Sequence, residues 1–206
     1  MADGQTVHII EDDPAVRESL ALLLKSAGLV GKLYASAQEF LDKNPAPSGC
    51  VVSDVRMPGM TGLELLEEMR KRRILLPTIL MTAFADVPQA VKAMKLGAVD
   101  FIEKPFDDEL IVSSVSAALA RRGEWRAGDA EALAARESLS GLTSREKAVL
   151  DGLLKGRLNK TIAYDLGISV RTVETHRANL MTKTQARSLS ELVRMSLLAE
   201  SAAVSN

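Results

Sequence analysis

The sequence predicts an α/β domain on a doubly wound, five-stranded parallel sheet, joined by a helical linker to a small all-α domain of four helices. Three observations predict it. Five short apolar, β-prone runs alternate with helical periodicity up to residue 119. Several of those runs end in polar residues that can share one sheet edge, and beyond residue 139 the strand pattern stops. Alternating strands and helices imply a parallel sheet with helices on both faces. Strands that are apolar without alternation imply burial on both sides.

The elements follow in order. Residues 7–10 form an apolar run, then Pro14 precedes Val16, Leu20, Leu23, Leu24 and Ala27 at helical spacing. The alternation repeats with strands at 29–34, 50–53, 78–81 and 99–102, each followed by a helical pattern at 37–41, 63–69, 91–96 and 110–119. From 121 to 138 no strand signal appears. Ala130, Leu133 and Ala134 give a narrow apolar stripe, and Gly123 and Gly128 weaken the helix there. This divides the chain into a first domain at 1–122, a partly helical linker at 123–138 and a second domain at 139–206. In the second domain Thr143 with Glu146, and Ser188 with Glu191, have the capping-box spacing. Ser169 can cap the helix starting at Val170, and Gly156 and Gly167 mark helix ends.

Hydrophobic residues make up 47% and charged residues 26% of the 206, enough apolar surface for a proper core, so disorder throughout is excluded. The one cysteine, Cys50, lies in an apolar run and reads as a core residue; no intramolecular disulfide can form. No apolar stretch is long enough to span a bilayer, and residues 1–5 lack a secretory pattern, so a cytoplasmic location without membrane contact is expected. The net charge of −1 is unevenly spread. Residues 1–122 carry 14 basic and 17 acidic side chains, 123–138 carry 2 and 4, and 139–206 carry 10 and 6. The second domain, at +4, is the candidate for an anionic partner.

Ligands of open α/β sheets bind outside the carboxyl ends of the strands. Glu11-Asp12-Asp13, Asp54, Thr82 and Lys104-Pro105 all stand at such ends, so residues far apart in sequence can converge. Taken singly, an acid after a strand caps a helix, a threonine starts a loop and a lysine is solvated. Five on one sheet edge argue for a built site. Asp13 alone is read as the start of a helix. Phe84 and Phe101, beside the sheet, suit core positions.

Glu11-Asp12-Asp13, the stretch from Asp54-Val55-Arg56-Met57-Pro58 to Gly62, Thr82-Ala83 and Lys104-Pro105-Phe106 resemble the receiver domain of two-component response regulators, over roughly the first 122 residues. The resemblance implies a flavodoxin-like fold with Asp54 as phosphoacceptor. It implies Mg2+ at Glu11, Asp12, Asp54 and the backbone carbonyl of Arg56, Asp12 more directly than Glu11; Glu11 stands where aspartate is more usual, and its longer arm leaves direct and water-mediated contact both open. A carboxylate can attack a phosphoryl group only if anionic repulsion is neutralised, and Mg2+ does this with few protein ligands. Thr82 and Lys104 would bind the phosphoryl oxygens. Lys104 precedes a proline, so the bond between them can be cis. Phe101 would turn inward as Thr82 moves. A surface at about 86–103 would then form a homodimer.

Asn159-Lys160-Thr161-Ile162-Ala163, Leu166-Gly167-Ile168-Ser169 and Thr172 to Asn179 resemble the LuxR-type helix-turn-helix domain, over roughly 139–204. Independently of that, a helical wheel puts Val170, Val173, Arg177, Leu180 and Met181 on one side, and Arg171, Thr175, Ala178 and Thr182 on the other. The second set is expected in a major groove, with Glu174 and Asn179 at its margins and Thr172 beside it. Arg171 suits guanine or a phosphate, Thr175 and Ala178 thymine methyls, and Asn179 adenine or backbone. Lys160, Thr161, Ser169 and Lys183 are phosphate candidates. Arg177 is expected to pair with Glu146, and His176 is not read as a metal ligand.

Together the two resemblances point to a response regulator of the FixJ/NarL class. The stretches Val7-His8-Ile9, Ala98 to Phe106 and Ile162 to Leu166 are closest to the nitrogen-fixation regulators of rhizobia. The expected activity is transfer of a phosphoryl group from a sensor histidine kinase to Asp54, then dimerisation, binding of promoter DNA and recruitment of RNA polymerase. The chain is thus a non-enzymatic regulator. Two rivals differ in class. A Mg2+-dependent phosphatase or phosphotransferase would turn over a small phosphorylated compound. A receiver acting only as a protein-interaction switch would bind no specific DNA.

Overall fold

The computed structural model describes residues 6–45, 48–83, 87–120 and 128–204. Residues 1–5, Phe84, Asp86 and the 121–127 stretch with Gly123 lie outside them. The elements are β1 (Thr6–Ile10), α1 (Pro14–Ser26), β2 (Val30–Tyr34), α2 (Ala37–Asp42), β3 (Cys50–Asp54), α3 (Gly62–Lys71), β4 (Thr78–Thr82), α4 (Val87–Lys95), β5 (Asp100–Glu103) and α5 (Asp108–Ala120). They continue with α6 (Gly128–Ser140), α7 (Ser144–Leu154), α8 (Asn159–Leu166), α9 (Val170–Thr184) and α10 (Leu189–Val204). The chain divides into two compact units, 1–85 with 96–123, and 86–95 with 124–206. α4 thus groups with the second unit.

In the first unit the five strands are all parallel, in the order β2-β1-β3-β4-β5. One face carries Val7, Ile9, Cys50, Val52, Ile79, Met81 and Ile102 against Leu20 and Leu24 of α1 and Ile111 and Val115 of α5. The other carries Ile10 and Val51 against Phe40 of α2 and Leu65 and Met69 of α3. Strand residues therefore alternate between two buried layers, which is why no exposed position interrupts β1, β3 or β4. β2 departs from the expected two-sided burial: Val30 is 55% and Leu33 39% exposed, because this strand closes one edge of the sheet. β1 lies between β2 and β3, so the winding reverses there. The carboxyl ends of β1 and β3 accordingly flank the crevice where such folds bind ligands.

Cys50 is fully buried, and burial pushes its thiol up to about 12, in keeping with a core role. His8, also buried, faces the Tyr34 hydroxyl at 2.9 Å and the Ser48 carbonyl at 3.3 Å; burial lowers its pKa and favours the neutral ring.

In the second unit Leu142, Val149, Leu150 and Leu153 pack with Ile162 and Ala163 of α8, Val173 and Leu180 of α9 and Leu192 of α10. The helices α7 and α8 meet at Gly152, where an added Cβ would stand 2.8 Å from Ile162. Gly167 ends α8 in the left-handed region at φ 65°, and the Ile168 N–H closes on the Ala163 carbonyl at 3.0 Å. Ser169 then caps α9, accepting from the Thr172 N–H at 3.0 Å. A short turn between two helices results.

Candidate functional site

Strand register builds the acidic site. Glu11 follows β1, Asp54 ends β3, Thr82 ends β4 and Lys104 follows β5, so all four stand at one edge of the sheet. Lys104 is fixed there through its backbone, whose N–H donates to the Thr82 carbonyl at 2.7 Å. Its Nζ donates to Glu11 Oε2 and to Asp54 Oδ1, both at 2.6 Å. The second oxygen of Asp54 accepts from the Arg56 N–H at 2.6 Å. One oxygen of the carboxylate is thus tied to the following loop and the other to the lysine. That loop comes very close to β3: an added Cβ on Gly62 would stand 2.4 Å from the Asp54 carbonyl oxygen. A side chain there would force the start of α3 away from the site.

Glu11 is 3% and Asp54 6% exposed, whereas Asp12 is open to solvent. Burial pushes the Glu11 carboxyl above its usual range, and the hydrogen bond from Lys104 opposes that shift. Burial pulls the Lys104 ammonium down, but its bonds to Asp54 and Glu11 outweigh it and leave the pKa raised. Carboxylate oxygens of Glu11, Asp12 and Asp54 lie within 4.8 Å of one another. This donor set is all hard oxygen, with no imidazole or thiolate, and suits a small hard cation. Thr82 is fully buried, and Phe101 is buried at 7%. Asp13, expected at a helix start, accepts from the Ala15 and Val16 N–H groups and caps α1. The Lys104–Pro105 peptide bond is cis.

In α9 Val173 and Leu180 face the core, while Arg171, Glu174, Thr175, Ala178, Asn179, Thr182 and Lys183 are exposed. Lys160, Thr161 and Ser169 are exposed as well; Thr172 is half-buried, with its hydroxyl 2.8 Å from that of Ser169. Two expectations need correction. Val170 is 40% exposed, because side chains of a first helical turn project back past the neighbouring helices. Arg177 donates to Asn159 Oδ1 of α8 at 3.0 Å, not to Glu146. Glu146 binds Lys183 instead, at 2.8 Å.

Glu146 is itself buried, and its Oε2 accepts from Lys183 and from the Thr143 N–H and hydroxyl. The Lys183 hydrogen bond, with those from Thr143, holds its carboxyl down to about 2. A carboxylate with a depressed pKa stabilises the fold above its unfolded value, near 4.3, and that contribution is lost as pH falls towards 2. Thermal unfolding of the second unit should therefore drop through this window, and Glu146→Gln should flatten the drop. An identical acid profile in wild type and variant would contradict this account.

Two residues given no role from the sequence emerge at these sites. Asn159 anchors Arg177, and Arg17 on α1 reaches back to the loop carrying Glu11 and Asp12. The only available signal for Arg17 was a basic residue five positions after Asp12.

A model of the response regulator receiver domain matches residues 7–116, and one of bacterial regulatory proteins of the luxR family matches residues 140–196. The chain is 55% identical over 201 residues to the transcriptional regulatory protein FixJ of Azorhizobium caulinodans, covering 97% of this chain and 95% of that protein. It is 48% identical over 194 residues to FixJ of Bradyrhizobium diazoefficiens, covering 94% and 95%. Among solved structures, full-length FixJ from B. japonicum matches at 46% identity and a TM-score of 0.56, over 96% of this chain and 98% of that one. The response regulator StyR matches at 39% and 0.54, over 93% and 97%. No described helix is long and apolar enough to cross a membrane. With a receiver domain followed by a LuxR-type DNA-binding domain along nearly its whole length, the chain belongs to the two-component response regulators of the FixJ/NarL class and is a FixJ-like transcriptional regulator.

Proposed function

We propose that this regulator is switched by phosphorylation of Asp54. A sensor histidine kinase donates the phosphoryl group: an Asp54 oxygen bonds to phosphorus as the bond from phosphorus to the histidine nitrogen breaks, and that nitrogen keeps the electron pair. The carrying observation is the Lys104 ammonium 2.6 Å from both Asp54 and Glu11, a fixed cation beside the attacking oxygen. Bound through Glu11, Asp12, Asp54 and the Arg56 carbonyl, Mg2+ would neutralise the repulsion between carboxylate and phosphoryl oxygens. Lys104 holds equatorial oxygens, Thr82 donates its hydroxyl to the same group, and Phe101 follows Thr82 inward. The phosphorylated form dimerises through residues 86–103 and binds promoter DNA with the exposed face of α9. Arg171, Thr175, Ala178 and Asn179 reach bases, with Thr172 and Glu174 at the margin, and Lys160, Thr161 and Ser169 reach phosphates. It then recruits RNA polymerase, at nitrogen-fixation genes by its resemblance to rhizobial regulators. It turns over no separate substrate, and its place is the cytoplasm, as a receptor-to-promoter relay requires.

A promoter-binding titration of wild type and Asp54→Asn, each with and without acetyl phosphate and Mg2+, tests this reading. The donor should tighten wild-type binding by about tenfold or more and leave Asp54→Asn unchanged. Equal responses of the two proteins would remove Asp54 from the switch.

A further inference from the structure

We infer that Arg17 is a positioning residue of the acidic site, setting where Glu11 and Asp12 hold their carboxylates; this rests on reading Glu11, Asp12 and Asp54 as a divalent-cation site. Arg17 lies one turn into α1, and its Nη1 donates to the backbone carbonyl of Glu11 at 2.5 Å and to that of Asp12 at 3.3 Å. Those carbonyls stand just beyond Ile10, the last residue of β1 paired with either neighbouring strand. The sheet ladder therefore does not hold them. Below them the Glu11 N–H is fixed to the Tyr34 carbonyl at 3.2 Å, and above them Asp13 caps α1. Between these two anchors the guanidinium is the clamp on the segment that carries both acids.

Among the described residues Arg17 grips carbonyls rather than carboxylates, and this separates two effects of opposite sign. If the guanidinium acted on a bound cation through its charge, it would repel it, and removing it would tighten binding. If it acts by holding the loop, removing it frees the backbone that carries Glu11 and Asp12, leaving Lys104 to hold the Glu11 carboxylate and nothing comparable on Asp12 among the described residues, and loosens binding. The hydrogen-bond geometry assigns the second. Lysine at this position would keep the charge, but its ammonium sits on a flexible stem and lacks the rigid planar guanidinium that aims Nη1 at both carbonyls.

The experiment is calorimetric titration of MgCl2 into the full-length chain at constant ionic strength, as wild type, Arg17→Met and Arg17→Lys, with thermal unfolding as the check on folding. Arg17→Met should weaken Mg2+ by about tenfold, with Arg17→Lys between it and wild type. Wild-type or tighter affinity in Arg17→Met overturns the positioning role while leaving the cation site intact. Should Arg17→Met not fold, unchanged affinity in folded Arg17→Lys overturns it equally. A wild type that takes up no Mg2+ overturns the cation-site reading itself, and this inference with it.

Discussion

Lys104→Met is expected to destabilise the receiver by about 3 kcal/mol in metal-free buffer, because removing one partner of a buried ion pair leaves uncompensated charge behind. Here two carboxylates lose their partner at once: the side chains of Glu11 and Asp54 are 4% and 9% exposed, and each accepts from Nζ at 2.6 Å. Burial already raises the Glu11 pKa and the Asp54 charge adds to it, so without the ammonium Glu11 protonates nearer neutrality. Methionine keeps most of the apolar stem, so the loss reports the charge and not the packing. Urea unfolding with and without MgCl2 measures it. Added Mg2+ should restore much of the stability, since a divalent cation neutralises the same carboxylates. It should not restore phosphoryl uptake from acetyl phosphate, which is expected to fall by about a hundredfold or more because the oxygens Lys104 would hold lose their donor. Wild-type stability in metal-free buffer would show that the carboxylates do not need the ammonium, and full uptake would place Lys104 outside the chemistry.

The convergence of Glu11, Asp54 and Lys104 was readable because parallel strands share a direction. Any polar residue that ends an apolar run in such a sheet must arrive at the same edge. The Thr143 with Glu146 capping box was equally readable, since both partners lie within one turn. Pairing between elements was not. The wheel of α9 placed Val173 and Leu180 inward and Arg171 outward, as observed, but could not tell whether Glu146 would meet Arg177 or Lys183. That depends on how α7, α8 and α9 cross, which the wheel does not contain. Arg17 escaped for a similar reason: its partners are backbone carbonyls, which carry no residue type for a pattern to find. Exposure on β2 followed from strand order, and strand order is not a property of any single run.

The pairing of Lys183 with Glu146 alters what is expected of substitutions on the exposed face of α9. Arg171→Ala with Thr175→Ala is expected to weaken binding to the specific operator by about a hundredfold, while binding to scrambled DNA changes far less. Both residues are exposed on the side of α9 opposite Val173 and Leu180. The Thr175 hydroxyl donates to the Arg171 carbonyl at 3.0 Å, which satisfies it within the helix and leaves the methyl to meet a base. Lysines at phosphates behave differently. Removing one such ammonium from a phosphate lowers the slope of log affinity against log salt by about one and weakens all sequences alike. Lys160→Ala should do this. Lys183 has its ammonium 2.8 Å from a buried carboxylate, so leaving for a phosphate would abandon Glu146 unpaired. Lys183→Met should therefore keep the wild-type salt slope and show its effect in thermal unfolding of the second unit. Fluorescence anisotropy over a range of salt, with operator and scrambled duplexes, separates the three variants. A reduced slope in Lys183→Met would return that lysine to the phosphates, and equal losses on both duplexes in the Arg171 and Thr175 double variant would remove that face from base reading.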